Sequence, residues 1–554
     1  MDHEQRPSTS PAARLSEADT SLPDSRESGF NMSVLSSSFA AALSALNFGW
    51  CLGEPNIPED IIKECVEGPE TYINGLPTCL PMSSTMWGLV VGLVALGALV
   101  GSLSAGRAAD RFGRKNVLLA NNVFYVTGAL LLGTSTTVAQ LAVGRFVSGI
   151  GCECAPVKAR GLLGTMLQLA VELGIFFSQL IATFLVQVPN WRILFGLSGA
   201  ISLIQLVWLP FMPESPKFLL TQGKTAEAGS ALQFLRPGYN ITNELQEMIA
   251  SSGTRDGNAF PVIGQTDEAG FAPDNASELK VTIEGKPNRA SFHSTSGANI
   301  GSIGLIDIIK GRTPDIIWHT LFCTLFLMGF QQWTGAKGIV FYSTEILVNV
   351  LSLSPSQVRQ TPNSAQWVTI GLAGTGILAV LASMSLIDRL GRRRLLLIST
   401  GGVSVACFII VIGRVYHASV LAVVAMFAFK IAYGLGMAPI PWLTASEMLP
   451  YYALGTMSGI ASALNWTMIF TIGLLFPVLA RVLRSYLFLP FAMLNLAGFV
   501  VVLLVVPETK GRHISDILFH HGRRVHVVFS PTAWMRRRRQ LGKPAVASVA
   551  ENLA

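Results

Sequence analysis

Two charged turns of one design stand at matching places in this chain, Asp110-Arg111-Phe112-Gly113-Arg114-Lys115 and Asp388-Arg389-Leu390-Gly391-Arg392-Arg393. Each follows directly on an apolar run long enough to cross a bilayer. Guanidinium and ammonium groups at this density pair with carboxylates. Glu153, Glu214, Glu447 and Glu508 stand at neighbouring helix ends to receive them, alongside Asp110 and Asp388, with Arg160 as a further basic member. Ion pairs of this kind can latch one side of a membrane protein in one state and must break in the other. The plainer alternative is that they only fix topology.

A second set of charges lies inside apolar runs: Arg145, Glu172, Lys337 and Lys430. A charge at that depth is costly unless it faces a partner or the bundle interior. No nucleophile–base pair accompanies them, so an enzyme is not expected. The seven cysteines are scattered without a CxxC pair or a His cluster, so neither a metal nor a cofactor is expected. Cys65 and Cys79 share one predicted loop, and a disulfide and two free thiols are both open there.

The elements that must carry these residues are membrane helices. Half of the 554 residues are hydrophobic and only 13% are charged, outside the range of soluble domains. Apolar runs near 33–53, 84–105, 117–137, 139–154, 162–187 and 191–212 form one set of six. Runs near 316–346, 365–387, 395–413, 418–446, 453–480 and 484–506 form a second. The repeated turn falls after the second span of each set, the mark of internal duplication. Residues 1–32 read as a disordered tail and 33–212 as one six-helix bundle. Residues 213–315 form a central loop with short helices and a disordered insert, 316–506 the second bundle and 507–554 a basic tail.

The basic turns and Arg536–Arg539 contrast with the acidic first loop, where Glu54, Glu59, Asp60, Glu64, Glu67 and Glu70 stand. The positive-inside rule therefore puts both termini, the central loop and both turns in the cytoplasm. The sequons at Asn31, Asn240 and Asn275 then fall on the cytoplasmic side and read as chance.

Further motifs narrow the fold. The fourth span holds Gly144-Arg-Phe-Val-Ser-Gly-Ile-Gly151, and the sixth ends in Pro213-Glu-Ser-Pro-Lys217. The seventh carries Gln331-Gln-Trp-Thr-Gly335, the tenth Pro439-Ile-Pro-Trp442 and the eleventh Asn465-Trp466. The twelfth ends in Pro507-Glu-Thr-Lys-Gly511. With the duplicated turn, this set over residues 33–515 resembles the sugar porter family of the major facilitator superfamily, and among its members the hexose facilitators. The resemblance implies an all-α membrane protein with the major facilitator fold, twelve transmembrane helices as two six-helix bundles, working by alternating access. It implies a small-molecule sugar as partner within a lipid bilayer, no nucleic acid and a monomer, in the plasma membrane or a vacuolar or other endomembrane. It also implies that Gln168, Gln331, Gln332, Trp442 and Asn465 contact the sugar, where amides bind hydroxyls and an aromatic face covers the ring.

The chain departs from the family at four places. The family's proton-coupled members carry Asp where Phe48-Gly-Trp-Cys51 has cysteine, which favours facilitated diffusion over proton symport. Lys337 replaces a usual Asn at the sugar site and needs an acidic partner, an anionic ligand or a lowered pKa. Glu172, one turn after Gln168 and on its face, is expected to pair with it, giving an intramembrane network of Arg145, Glu172 and Lys337. Leu454 stands where an Arg is usual, removing one basic member of the latch. Last, Gly151-Cys152-Glu153-Cys-Ala-Pro156 runs into Arg160-Gly161 with part of the family pattern absent. That leaves a fourth span of 16 residues, 139–154, where about 20 are needed. A skipped exon or a faulty gene model is the favoured explanation, and a naturally short helix with local bilayer thinning is the alternative. The leading expectation is transport of a hexose-like sugar by facilitated diffusion. The rivals are a proton-coupled symporter using Glu172, and a non-transporting sensor or defective splice form.

Overall fold

The computed structural model describes residues 31–65, 71–73, 75–152, 162–185, 190–252, 315–354, 357–358, 362–449 and 454–510. The first half holds α1 (Met32–Gly53), the short α2 (Glu59–Glu64), a hairpin of β1 (Tyr72–Ile73) and β2 (Leu76–Pro77), α3 (Ser84–Phe112), α4 (Arg114–Gly133), α5 (Val138–Cys152), α6 (Leu162–Leu185) and α7 (Trp191–Trp208). Three short helices follow: α8 (Pro216–Thr221), α9 (Thr225–Leu235) and α10 (Thr242–Ser252). The second half holds α11 (Asp315–Trp333), α12 (Ala336–Val350), α13 (Ser364–Leu390), α14 (Arg392–Val415), α15 (Ser419–Leu435), α16 (Ile440–Met448), α17 (Leu454–Leu483) and α18 (Leu489–Val505).

Among the described residues, nine helical stretches are long and apolar enough to span a membrane. The short apolar α5 and α18 and the broken pair α11–α12 complete the two sets of six. The seventh span, read from the sequence as one run, breaks at Gly335, whose φ of 94° favours glycine. The tenth breaks between Leu435 and Ile440. The fourth is short here too, 15 residues in α5, and residues 153–161 lie outside the described ones.

Packing joins the halves along two seams. α3 runs against α17 and α6 against α13. Along the first, a Cβ on Gly88 would stand 3.1 Å from the Gly473 carbonyl oxygen, so small residues set the approach. The face bearing α2 and the hairpin is closed. Cys65 and Cys79 form a disulfide there. Buried Asn56 donates to Ser343 Oγ at 2.7 Å and accepts from the Thr344 amide at 3.2 Å, tying the end of the first span to α12 of the other half. Trp191 and Arg192 hold the hairpin down by donating to the carbonyls of Thr78 and Pro77, at 2.9 and 2.7 Å.

On the opposite face the duplicated turns explain themselves as helix starts. Gly113 and Gly391 have φ of 89° and 88° and precede α4 and α14, and glycine brings no capping side chain. The cap comes from elsewhere in each half. Glu214 accepts from the amides of Arg114 and Lys115 at 3.0 and 3.2 Å, and Glu508 from those of Arg392 and Arg393 at 2.8 and 3.2 Å. A carboxylate on orphan helix N–H groups is favoured by both hydrogen bonding and the helix dipole. Glu508→Ala is expected to lower stability by about 1–2 kcal/mol, with Glu214→Ala close behind, read as unfolding midpoints in detergent.

These contacts modify the latch expected from the sequence. Arg392 also pairs with Glu447 at 2.9 Å and Asp388 at 3.3 Å, and Arg114 donates to Ser215 at 2.6 Å. Arg111 lies over its neighbour Phe112, 5.3 Å from the ring centroid. Every ion pair on this face among the described residues therefore joins parts of one half, and Glu214 and Glu508 serve as caps for their own bundles. Glu153 and Arg160 lie outside the described residues, as do the tails and the insert. Asn31, dismissed as a chance sequon, caps α1 through the Val34 amide and donates to the Leu235 carbonyl of α9, both at 2.9 Å.

Candidate functional site

The two helix breaks build the site. Pro441 has no N–H to offer the Met437 carbonyl one turn earlier, so the chain at 436–439 leaves backbone acceptors free. Gln331, on the last turn of α11, fills this gap by donating to the carbonyls of Met437 and Ala438 at 2.8 and 2.9 Å. Its Oε1 accepts from Gln332 Nε2 and from Asn465 Nδ2, each at 3.1 Å. Asn465 also donates to the Met328 carbonyl at 2.7 Å. At the α11–α12 break, Asn495 donates to the Thr334 carbonyl at 3.1 Å, so the freed backbone is satisfied there too.

Three polar atoms of this cluster are buried without a hydrogen-bond partner among the described residues: Gln332 Oε1, Asn465 Oδ1 and Trp466 Nε1. Two acceptors and a donor in a dry interior each carry a desolvation cost until something pairs with them. Trp442 packs half-buried against Met328, Ala445 and Ala461 on the same side. Phe48 of α1 brings the other half in, with its ring 5.2 Å from that of Trp466. Lys337 is half-buried on α12, its Nζ 6.0 Å from the Phe48 ring centroid.

Of the residues read from the sequence, Gln331, Gln332 and Asn465 thus form one hydrogen-bonded cluster, with Trp442 and Lys337 beside it. Gln168 stays half-buried on α6 and makes no hydrogen bond to that cluster among the described residues.

The expected Glu172–Lys337 pair is corrected. Glu172 receives Lys430 Nζ at 2.9 Å, with both side chains buried. The reason lies on α13. A Cβ at Gly376 would stand 2.5 Å from Lys430 Cε and 2.6 Å from Glu172 Oε2, so the glycine opens the gap through which α6 and α15 meet. The pair joins the two halves.

Arg145 belongs to a separate pair, and its partner is Glu54, expected from the sequence in the acidic first loop. Arg145 Nη1 lies 2.6 Å from Glu54 Oε1 and donates to the Cys51 carbonyl at 2.9 Å, with the side chains 1% and 0% exposed. A signal was available, since Glu54 directly follows the last residue of the first span. In the loop beyond, burial and the neighbouring Glu345 carboxylate push Glu59 up to about 8, despite the Lys63 ammonium 3.2 Å away.

A cavity of about 220 Å³ on the closed face is lined by Ser84, Glu345, Asn349, Arg414 and Arg481, the last roughly four turns along α17 from Asn465. It is distinct from the amide cluster.

Comparison with known proteins bears on this geometry. Residues 37–260 and 288–518 match the family model described as "Sugar (and other) transporter". The chain is 28% identical to human solute carrier family 2, facilitated glucose transporter member 7, over 90% of this chain and 92% of that one. It is 27% identical to the horse facilitated glucose transporter member 5, over 87% and 91%. Among solved structures, the partially occluded inward-open xylose transporter XylE from E. coli superposes with a TM-score of 0.64 at 17% identity, over 87% of this chain and 100% of the other. The fold is that of the major facilitator superfamily.

Proposed function

The chain belongs to the sugar (and other) transporter family, and from that premise we propose that it carries a hexose-like sugar across a membrane by facilitated diffusion. The observation that carries the reading is the cluster of Gln331, Gln332 and Asn465, whose orphan acceptors suit the hydroxyl donors of a sugar. Trp442 supplies an aromatic surface beside it. The relatives described as facilitated glucose transporters support a hexose.

Alternating access follows from where the halves meet. The Asn56 contacts close one face, while on the basic-turn face every ion pair among the described residues stays within one half. By the positive-inside rule, the basic turns and both termini are cytoplasmic, so this conformation is closed to the outside. Opening that face requires the Asn56–Ser343 bond to part.

Two features favour a facilitator over a proton symporter. Buried Cys51 stands where proton-coupled relatives of this pattern carry a carboxylate. Glu172, the other candidate proton carrier, is held by Lys430. We take the chain to be a carrier without enzymatic activity, acting as a monomer in the plasma membrane or an endomembrane.

Counterflow of labelled hexoses, pentoses and polyols in vesicles containing the purified protein tests the reading. Hexoses are expected to exchange, and Gln332→Leu is expected to raise the half-saturating concentration about tenfold through loss of a hydrogen bond. Absence of exchange for every sugar would remove the proposal.

A further inference from the structure

Lys337 is the one charged group at the site whose ion partner the fold gives to another residue. Three charges share this part of the interior: the carboxylate of Glu172 and the ammonium groups of Lys430 and Lys337. Glu172 and Lys430 cancel at 2.9 Å, which leaves one positive charge in excess. Lys337 makes no ion pair or hydrogen bond among the described residues; its recorded contact is the face of Phe48 at 6.0 Å, the outer limit of a cation–π interaction. An ammonium at this depth, beside the Phe48 ring, needs a counter-charge to be stable as an ion.

From this we propose that the preferred ligand is an anionic sugar, a hexuronate-like molecule whose carboxylate docks on Lys337 while its hydroxyls engage Gln332 and Asn465. The inference rests on the transport reading above and narrows its substrate class. The chemistry of the site matches such a molecule part by part. Gln332 Oε1 and Asn465 Oδ1 are acceptors awaiting hydroxyl donors, and Trp466 Nε1 is a donor awaiting an oxygen. The Phe48–Trp466 ring pair, with centroids 5.2 Å apart, connects these groups to Lys337. A neutral hexose would satisfy the amides and leave the ammonium unpaired. A carboxylate on the same ring satisfies both, and in a desolvated site a charge pair discriminates strongly.

The test uses the full-length protein in lipid vesicles, with labelled D-glucose and labelled D-glucuronate in parallel counterflow assays. Thermal stabilisation by each unlabelled sugar is measured in detergent. The proposal expects glucuronate to compete at concentrations about tenfold or more below those of glucose. In Lys337→Asn the glucuronate-to-glucose preference is expected to fall roughly thirtyfold, as for truncation of one partner of a buried charge pair. Lys337→Arg, which keeps the charge, is expected to retain the preference, and stabilisation by glucuronate shows that a variant is folded and binding. Glucose exchange in which glucuronate competes no better than glucose overturns this inference and leaves the hexose reading standing. A preference that persists unchanged in Lys337→Asn overturns it as well. If neither sugar exchanges nor stabilises the protein, the transport reading itself falls.

Discussion

Arg145→Met is expected to destabilise the protein by about 3–5 kcal/mol, because it strands the buried Glu54 carboxylate without its cation. The wild-type pair is nearly free of solvent, 1% and 0% exposed, and the same guanidinium nitrogen holds the Cys51 carbonyl at the end of α1. Loss of the arginine therefore loosens the first span where Asn56 reaches across to α12. Thermal unfolding of purified protein in detergent reads the effect. The double variant Arg145→Met with Glu54→Gln is expected to recover most of the loss, since no bare charge then remains. Equal loss in the single and double variants would show that the arginine acts through packing alone.

Glu172→Ala is expected to have an effect of similar size, about 3–5 kcal/mol, for a related reason. It leaves buried Lys430 and half-buried Lys337 as two cations with no carboxylate between them. This pair reaches past Gly376 of α13 to join the two halves, so its removal is expected to slow exchange of substrate as well as lower the unfolding midpoint. Glu172→Met combined with Lys430→Met removes both charges and is expected to restore folding toward wild type. The expectation fails if Glu172→Ala alone is as stable as the double variant, because Lys430 would then stand near Lys337 without a carboxylate at no cost.

The architecture was legible because membrane helices announce themselves by length and apolar content. The two sets of six were readable in that way, whereas the basic turns were read from their repetition and the amide positions from the resemblance to the sugar porters. Other features depended on which helix faces which. The Gln331 and Asn465 side chains could be assigned to one site, but the Met437 and Ala438 carbonyls that Gln331 binds are free only because the chain breaks around Pro439 and Pro441. Glu172 has a helical face readable from its spacing to Gln168. Its partner was decided by Gly376 on a third helix, whose missing side chain means something only once α6 and α15 are side by side. Glu54 was read with its acidic neighbours in the first loop, whereas its neighbour in space is Arg145. The basic turns were recognised as ion-pairing devices. That Glu214 and Glu508 cap helices within their own halves follows from the positive φ of Gly113 and Gly391, which spacing alone does not reveal.

The account's central claim is passive carriage of a sugar, and net uptake into vesicles under an imposed proton gradient tests it most directly. Labelled hexose is expected to enter until the inside and outside concentrations are equal, at an initial rate the same with and without an uncoupler. Accumulation above the outside concentration that collapses when the uncoupler is added would contradict the claim.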